Sequence, residues 1–145
     1  MNLTLFSDYS LRVMMFAAMR PQDSFSVDQV AEAFQLSRHH IAKVINFLAQ
    51  RGYLAAKRGR GGGVSLGRAA EAIRLGALLR ETEARPPLIE CFDPATNRCP
   101  LISSCRLKGF LGLALKAFYD SLDQFTVADL VVRPKPLREA LALAP

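Results

Sequence analysis

Three cysteines in the second half of the chain are the residues whose type most directly suggests chemistry. Cys91, Cys99 and Cys105 are all of its cysteines, and seven and five residues separate them. Three thiols cannot all pair within one chain, and the closely spaced pairs of a structural zinc site are absent. Because thiolates bind both zinc and iron–sulfur clusters, the segment predicts a metal or redox site without deciding between the two.

The residues between these cysteines predict a loop. Prolines and short polar side chains recur there, namely Asp93, Pro94, Asn97 and Pro100. Such residues favour turns over helices and strands. The alternative is that all three cysteines are buried structural residues without a metal, and a loop makes that alternative the weaker one.

A second group of residues carries positive charge in a pattern suited to nucleic acid. The net charge is +6, and residues 1–68 contain nine Lys and Arg and four Asp and Glu, against ten and nine in residues 69–145. A basic first half indicates contact with a polyanion, although surplus basic residues also serve solubility. The candidate DNA-binding residues are Ser37, Arg38, His39, His40 and Lys43, followed by Lys57, Arg58 and Arg60.

A helix-turn-helix would position the first of these two clusters. Residues 4–20 have apolar side chains at helical spacing, and Ser26 begins a second helix with a capping-box pattern. Ser37 is a suitable N-cap for a third helix over residues 38–51, which Gly52 would end in the left-handed conformation. The N-terminal end of the third helix would enter the major groove of DNA.

The second cluster lies in a predicted wing. Strand-like residues 53–56 and 64–66 flank a stretch rich in glycine and arginine. Basic side chains there would contact phosphates and release counterions. Winged helices also serve as protein-docking modules, and in that alternative Arg38 and Lys43 are only a solvated surface.

Apolar residues recur every three or four positions over residues 106–125 and predict a long amphipathic helix. This apolar stripe is wider than one small domain covers, which predicts a homodimer. We expect a mainly α fold with a small β-wing, in which a winged helix-turn-helix precedes a long C-terminal dimerisation helix. The predicted regions are residues 1–68 for DNA binding, residues 69–130 for the cysteine loop and dimerisation helix, and residues 131–145 as a loosely held tail.

Membrane and enzyme functions lack support in the sequence. The longest apolar run, which begins at Val13, has seven residues, whereas a spanning helix needs roughly 20. No basic segment followed by an apolar core begins the chain, so we expect a cytoplasmic protein in a reducing compartment, without membrane contact. Neither a phosphate-binding glycine loop nor a nucleophile–base pattern is present, and we expect no enzyme activity.

Several segments of the chain resemble the iron–sulfur winged-helix repressors. These segments are residues 3–12, residues 37–44 and residues 60–63. The surroundings of the cysteines are most similar to the nitric-oxide-responsive members of that family, in residues 90–93, 99–100 and 105–108. The resemblance covers nearly the whole chain and weakens after about Leu130.

The resemblance implies a homodimer that carries one iron–sulfur cluster per subunit, either 4Fe–4S or 2Fe–2S. It further implies repression of nitric oxide detoxification genes from a palindromic operator on double-stranded DNA, with nitric oxide as the signal. By the same resemblance, Cys91, Cys99 and Cys105 would be the cluster ligands. The alternative function is a winged-helix regulator with structural zinc or with a small-molecule effector.

The chain has three thiols, so a fourth cluster ligand must be a side chain of another type. Once both histidines are assigned to the DNA-facing helix, carboxylates are the next candidates. Glu90 and Asp93 lie so close to Cys91 that reaching a different iron would strain the loop. Relatives in the family recruit a non-cysteine ligand from the N-terminal helix of the partner subunit, so we expect Asp8 to be that ligand. The alternative is that Asp8 only interacts with the positive N-terminus of its own helix.

Overall fold

The computed structural model describes residues 2–57, 62–83 and 87–143, with six α-helices and one two-stranded sheet among them. The elements are α1 (Leu5–Ala18), α2 (Val27–Ala33), α3 (Arg38–Gln50), β1 (Leu54–Lys57), β2 (Gly63–Leu66), α4 (Leu75–Thr82), α5 (Arg106–Leu122) and α6 (Pro134–Ala140). Short 3-10 helices span Ala70–Ala72, Glu90–Phe92 and Ala128–Val131. The predicted fold class, mainly α with a small β-wing, is confirmed.

Local capping explains where the first three helices begin. The Thr4 hydroxyl accepts a hydrogen bond from the Ser7 amide at 3.2 Å and so starts α1. Ser26 and Gln29 form the predicted capping box of α2, with reciprocal bonds of 2.8 and 3.2 Å. Ser37 occupies the N-cap of α3, but its side chain makes no capping hydrogen bond there. The predicted position of Ser37 as the N-cap is confirmed, since its backbone is extended there and α3 begins at the next residue.

The wing follows directly from the end of α3. Gly52 has a φ of +71°, and the Tyr53 amide donates to the Leu48 carbonyl at 2.9 Å, which ends α3 as predicted. β1 and β2 pair antiparallel, with Leu54 opposite Leu66. Phe25, just before α2, forms a further bridge with Val64, so the base of the wing is joined to the helix-turn-helix.

One hydrophobic core joins the two halves of the chain. Its fully buried side chains from the first half include Val13, Phe16, Ile41, Val44 and Leu48. Ile73, Leu78 and Val127 are buried in the same cluster. The core therefore continues past the boundary predicted at residue 68, because α4 and the segment after α5 pack on α1.

The long helix and the C-terminal segment differ from the prediction in two respects. α5 ends at Leu122 rather than at residue 125, because the Phe125 carbonyl accepts a hydrogen bond from the Leu75 amide at 3.0 Å and the chain turns back along α4. The segment predicted as a loosely held tail contains regular structure in its described part. Residues Pro134–Ala140 form α6, which begins with a proline at its first turn, and Leu143 packs against the core.

No helix among the described residues is long and apolar enough to cross a membrane.

Candidate nucleic-acid interface and metal centre

The N-terminal turns of α3 present a polar surface away from the core. Ile41, Val44 and Leu48 are buried on one side of the helix, whereas Arg38, His39, His40 and Lys43 are exposed. The buried stripe fixes the orientation of α3, since rotating the helix would expose it. The predicted recognition residues are thus held together on the exposed side of one helix.

One ion pair on this surface was not foreseen from the sequence. The Arg38 guanidinium pairs with the Asp28 carboxylate, which joins the first turn of α3 to the first turn of α2. The two side chains are 71% and 66% exposed, so solvent screens the pair and it adds little stability. The Arg38 guanidinium is therefore accessible from solvent and can exchange this partner for another anionic or polar group.

The wing residues are only partly described. Arg58, Arg60 and the Lys57 side chain lie outside the described residues, whereas the paired strands at the base of the wing lie within them. Gly63 approaches Ser24 so closely that an added Cβ would lie 3.0 Å from the Ser24 Cβ. The base of the wing is therefore packed tightly against the loop that precedes α2.

A polar cluster that the sequence did not predict lies at the C-terminal end of α3. This helix-end cluster consists of Arg51, Tyr53, Arg68 and Glu81. The Tyr53 hydroxyl donates to the Glu81 carboxylate at 2.8 Å, and an Arg51 guanidinium nitrogen lies 3.3 Å from it. Arg68 donates to the Arg51 carbonyl at 2.7 Å and stacks 4.4 Å from the centre of the Tyr53 ring. No spacing in the sequence signals this cluster, because Glu81 lies 28 positions after Tyr53.

Burial and a neighbouring carboxylate both act on the phenol of this cluster. Burial is the larger cause and the Glu81 hydrogen bond and charge the next, and together they raise the pKa of Tyr53 to about 12. Tyr53 therefore remains a neutral hydrogen-bond donor to Glu81 across the physiological pH range.

The three cysteines are all free and half-buried, and they occupy different parts of the predicted loop. Cys91 lies in the 3-10 helix Glu90–Phe92, and Cys105 is the N-cap of α5. The Cys99 amide donates to the Asn97 side chain at 3.1 Å. The loop prediction is confirmed, and α5 begins directly after the last thiol.

The structure does not gather these thiols around one point. Within residues 2–57, 62–83 and 87–143, no three His, Cys, Asp or Glu side chains are grouped so that they could hold a metal ion. The donor set nevertheless fits an iron–sulfur cluster, because three unpaired thiols lie on one short loop, each of them partly exposed.

The candidate carboxylates differ in their partners. Asp93 accepts hydrogen bonds from the Ala95 amide and the Thr96 hydroxyl at 3.0 and 3.1 Å, and Glu90 accepts one from the Arg98 amide. Both acids thus serve the fold of the loop. Asp8 lies in the first turn of α1 and pairs with Arg12 at 2.9 Å, with about two-fifths of each side chain exposed.

The long helix α5 presents an unusual surface for a protein of this size. None of its 17 residues is buried, and the large apolar side chains Leu107, Phe110 and Leu113 are 57%, 56% and 68% exposed. Contiguous apolar surface of this kind marks interaction sites in proteins that are not membrane-bound. The predicted dimerisation face is therefore uncovered in the single chain.

Comparison with known proteins identifies a matching family, relatives of similar sequence and solved structures of similar fold. The family described as "Rrf2: Iron-dependent Transcriptional regulator" matches residues 3–133. The HTH-type transcriptional regulator NsrR of Halalkalibacterium halodurans is 41% identical over 146 residues, covering 100% of both chains. NsrR of Bacillus subtilis is 42% identical over 144 residues, covering 99% of each. The solved structure of IscR from T. potens superposes with a TM-score of 0.72 at 22% identity, covering 100% of this chain and 93% of that one.

Proposed function

The chain belongs to the Rrf2 family of transcriptional regulators, and we propose that it is a repressor whose operator binding depends on an iron–sulfur cluster and is released by nitric oxide. It is a DNA-binding regulator and not an enzyme, since its relatives are transcriptional regulators. The observation that carries the proposal is the position of three free thiols in the loop between the winged helix and α5.

Operator binding is assigned to two surfaces. Ser37, Arg38, His39, His40 and Lys43 would contact base edges and phosphates from the exposed N-terminal end of α3. Lys57, Arg58 and Arg60 of the wing would contact the phosphate backbone, where charge matters more than sequence. The exposure of Arg38 at the first turn of α3 supports this assignment, because a base edge or phosphate can reach its guanidinium.

Cys91, Cys99 and Cys105 would hold the cluster through their thiolates, and Asp8 of the partner subunit would supply the fourth ligand. Asp8 can leave Arg12 at little cost, because the pair is two-fifths exposed and solvent screens it. When bound, the cluster supplies iron that reacts directly with nitric oxide. Cys105 is the N-cap of α5, so closing the loop around a ligand would also fix where α5 begins.

A homodimer through α5 completes the proposal. The exposed side chains Leu107, Phe110 and Leu113 would be buried against their copies in the second subunit. Two-fold symmetry would then set the two α3 helices on successive turns of a palindromic operator, roughly 34–36 Å apart. Through this interface, the position of α5 would control the spacing of the recognition helices.

Anaerobic purification followed by iron, sulfide and zinc analysis tests the proposal. We expect iron and sulfide in the protein, visible absorbance, and a spectrum that changes on titration with nitric oxide. Stoichiometric zinc without sulfide would instead identify a structural zinc protein. A colourless, metal-free protein that binds its operator would overturn the assignment of a cluster.

A further inference from the structure

The last turn of α4 holds this helix firmly against the N-terminus of α1. The buried Ser7 hydroxyl donates to the Thr82 hydroxyl at 2.7 Å. The Glu83 carboxylate accepts hydrogen bonds from both the amide and the hydroxyl of Thr4, at 2.7 and 2.9 Å. Since one of these contacts is buried and the others are partly buried, they fix the position of α4 on the winged helix.

Arg80, two positions before Thr82 in α4, reaches the long helix. Arg80 lies 3.2 Å from the Asp120 carboxylate and 2.6 Å from that of Asp123. Its guanidinium also stacks 5.1 Å from the centre of the Tyr119 ring. α4 is therefore joined to α5 as well as to α1.

Glu81 lies between Arg80 and Thr82 in sequence, and its carboxylate contacts residues at the C-terminal end of α3. It accepts a hydrogen bond from the Tyr53 hydroxyl and pairs with Arg51, and it is the acidic member of the helix-end cluster. Arg51 is the C-cap of α3, and Tyr53 directly precedes β1. One carboxylate thus contacts both sides of the junction at which the recognition helix becomes the wing.

We propose that Glu81 is a positioning residue for operator recognition, which fixes the junction of α3 and the wing relative to α4. The inference rests on the proposed roles of α3 and the wing in DNA binding. Without Glu81, the Arg51 and Tyr53 side chains lose the carboxylate that joins them to α4, although Arg68 still contacts both residues. Part of the ordering of the junction must then occur when DNA binds. The free-energy cost of that ordering weakens binding to any duplex that the helix and the wing must contact at the same time.

A purely electrostatic role and a positioning role of Glu81 predict opposite changes in operator affinity when its carboxylate is removed. The removal of a negative charge from the protein favours binding to DNA of any sequence. If Glu81 positions the junction, its loss instead weakens binding to the operator and leaves binding to random DNA unchanged or stronger. The fold itself should persist, because the ion pair with Arg51 is partly exposed and contributes little stability.

The test compares Glu81→Ala with Glu71→Ala, which removes the same charge from an exposed residue of the 3-10 helix Ala70–Ala72. The probes are a duplex selected by the unaltered protein from a random pool and a random duplex of equal length. Glu81→Ala should bind the selected duplex about tenfold more weakly, the value of about one hydrogen bond. Glu71→Ala should bind both duplexes at least as tightly as the unaltered protein does.

Tyr53→Phe provides a second test that leaves the packed ring in place. It should weaken binding to the selected duplex by about three- to tenfold, and the variant with both changes should bind no more weakly than Glu81→Ala alone. Glu81→Gln, which keeps an acceptor for the phenol, should recover part of the loss. Equal behaviour of Glu81→Ala and Glu71→Ala, or additive losses in the double variant, would overturn the inference. If the unaltered protein selects no sequence at all, the proposed function fails instead.

Discussion

At the scale of single residues, Arg38 is predicted from the sequence to contact DNA, and the structure describes its surroundings. It is exposed at the first turn of α3, and its guanidinium pairs with the exposed Asp28 carboxylate. A bidentate contact with a base edge contributes roughly 1–3 kcal/mol of discrimination. Because the competing ion pair is exposed, breaking it removes only a small part of that gain.

Arg38→Ala should therefore weaken operator binding by about 1–3 kcal/mol, and chiefly at one base pair of the operator. Arg133→Ala, which removes an exposed arginine just before α6, is the control and should leave sequence preference unchanged. Competition binding with single-base operator variants measures both. Equal losses on operator and random DNA would make Arg38 a phosphate contact.

The cysteines allow a matched comparison within one loop. Cys91→Ala, Cys99→Ala and Cys105→Ala should each give colourless protein without stoichiometric sulfide, because the loop has no other thiol to replace the lost ligand. Ser103→Ala and Ser104→Ala change exposed residues of the same loop and should keep the colour. Visible absorbance and sulfide analysis of anaerobic preparations decide the outcome, and full sulfide content in any cysteine variant removes that residue from the ligand set.

Several local features of single residues were predictable from the sequence. The buried stripe of α3 and the turn at Gly52 follow from local periodicity and backbone conformation, and the structure confirms both. The contacts of Glu81 and of Asp28 join segments that only the fold brings together. The spacing of residues in the sequence therefore does not predict these contacts. The assignment of Asp8 as a ligand stays a prediction, since it concerns a second subunit.

At the scale of elements, the contact between α4 and α5 decides where the long helix lies. Gly76 of α4 faces α5 so closely that a Cβ there would be 2.3 Å from the Tyr119 carbonyl oxygen and 2.4 Å from an Asp123 carboxylate oxygen. A backbone oxygen cannot move aside without moving its helix. The absence of a side chain at residue 76 is what allows the two helices to touch.

Gly76→Ala should accordingly lower the free energy of unfolding by about 1–3 kcal/mol, as overpacked side chains do. Urea denaturation followed by circular dichroism measures the change. The gain in helix propensity from glycine to alanine acts in the opposite direction by about 0.5–1 kcal/mol. An unchanged or increased stability would show that α4 and α5 separate easily, and it would weaken the case for α4 as the connection between α5 and the winged helix.

The C-terminal segment illustrates why element boundaries were harder to predict than element types. Its amphipathic helix α5 was expected from periodicity, but its end at Leu122 depends on a bridge between Arg74 and Thr126. Similarly, the docking of Leu143 on the core is a tertiary contact. Local sequence indicates which segments are helical, whereas contacts with α4 and the core decide where they stop.

At the scale of the whole molecule, the proposed control of operator binding requires two copies of the chain. The exposed apolar face of α5 should make the protein a dimer in sedimentation experiments at micromolar concentration. Phe110→Glu and Leu113→Glu place charges in that face and should give monomers with weak operator binding. Val132→Glu changes an apolar residue that is 72% exposed outside α5, and it should leave the dimer intact. Monomeric mass for the unaltered protein would exclude the proposed interface.

The most direct test of the central claim is the operator affinity of one preparation before and after removal of its iron and sulfide. The loaded protein should bind the selected operator at least tenfold more tightly than the metal-free protein, a difference of about 1.4 kcal/mol in binding free energy. Both forms should bind random DNA alike, because that binding depends on the basic residues alone. Equal operator affinity of the loaded and metal-free forms would contradict the claim that the cluster controls DNA binding.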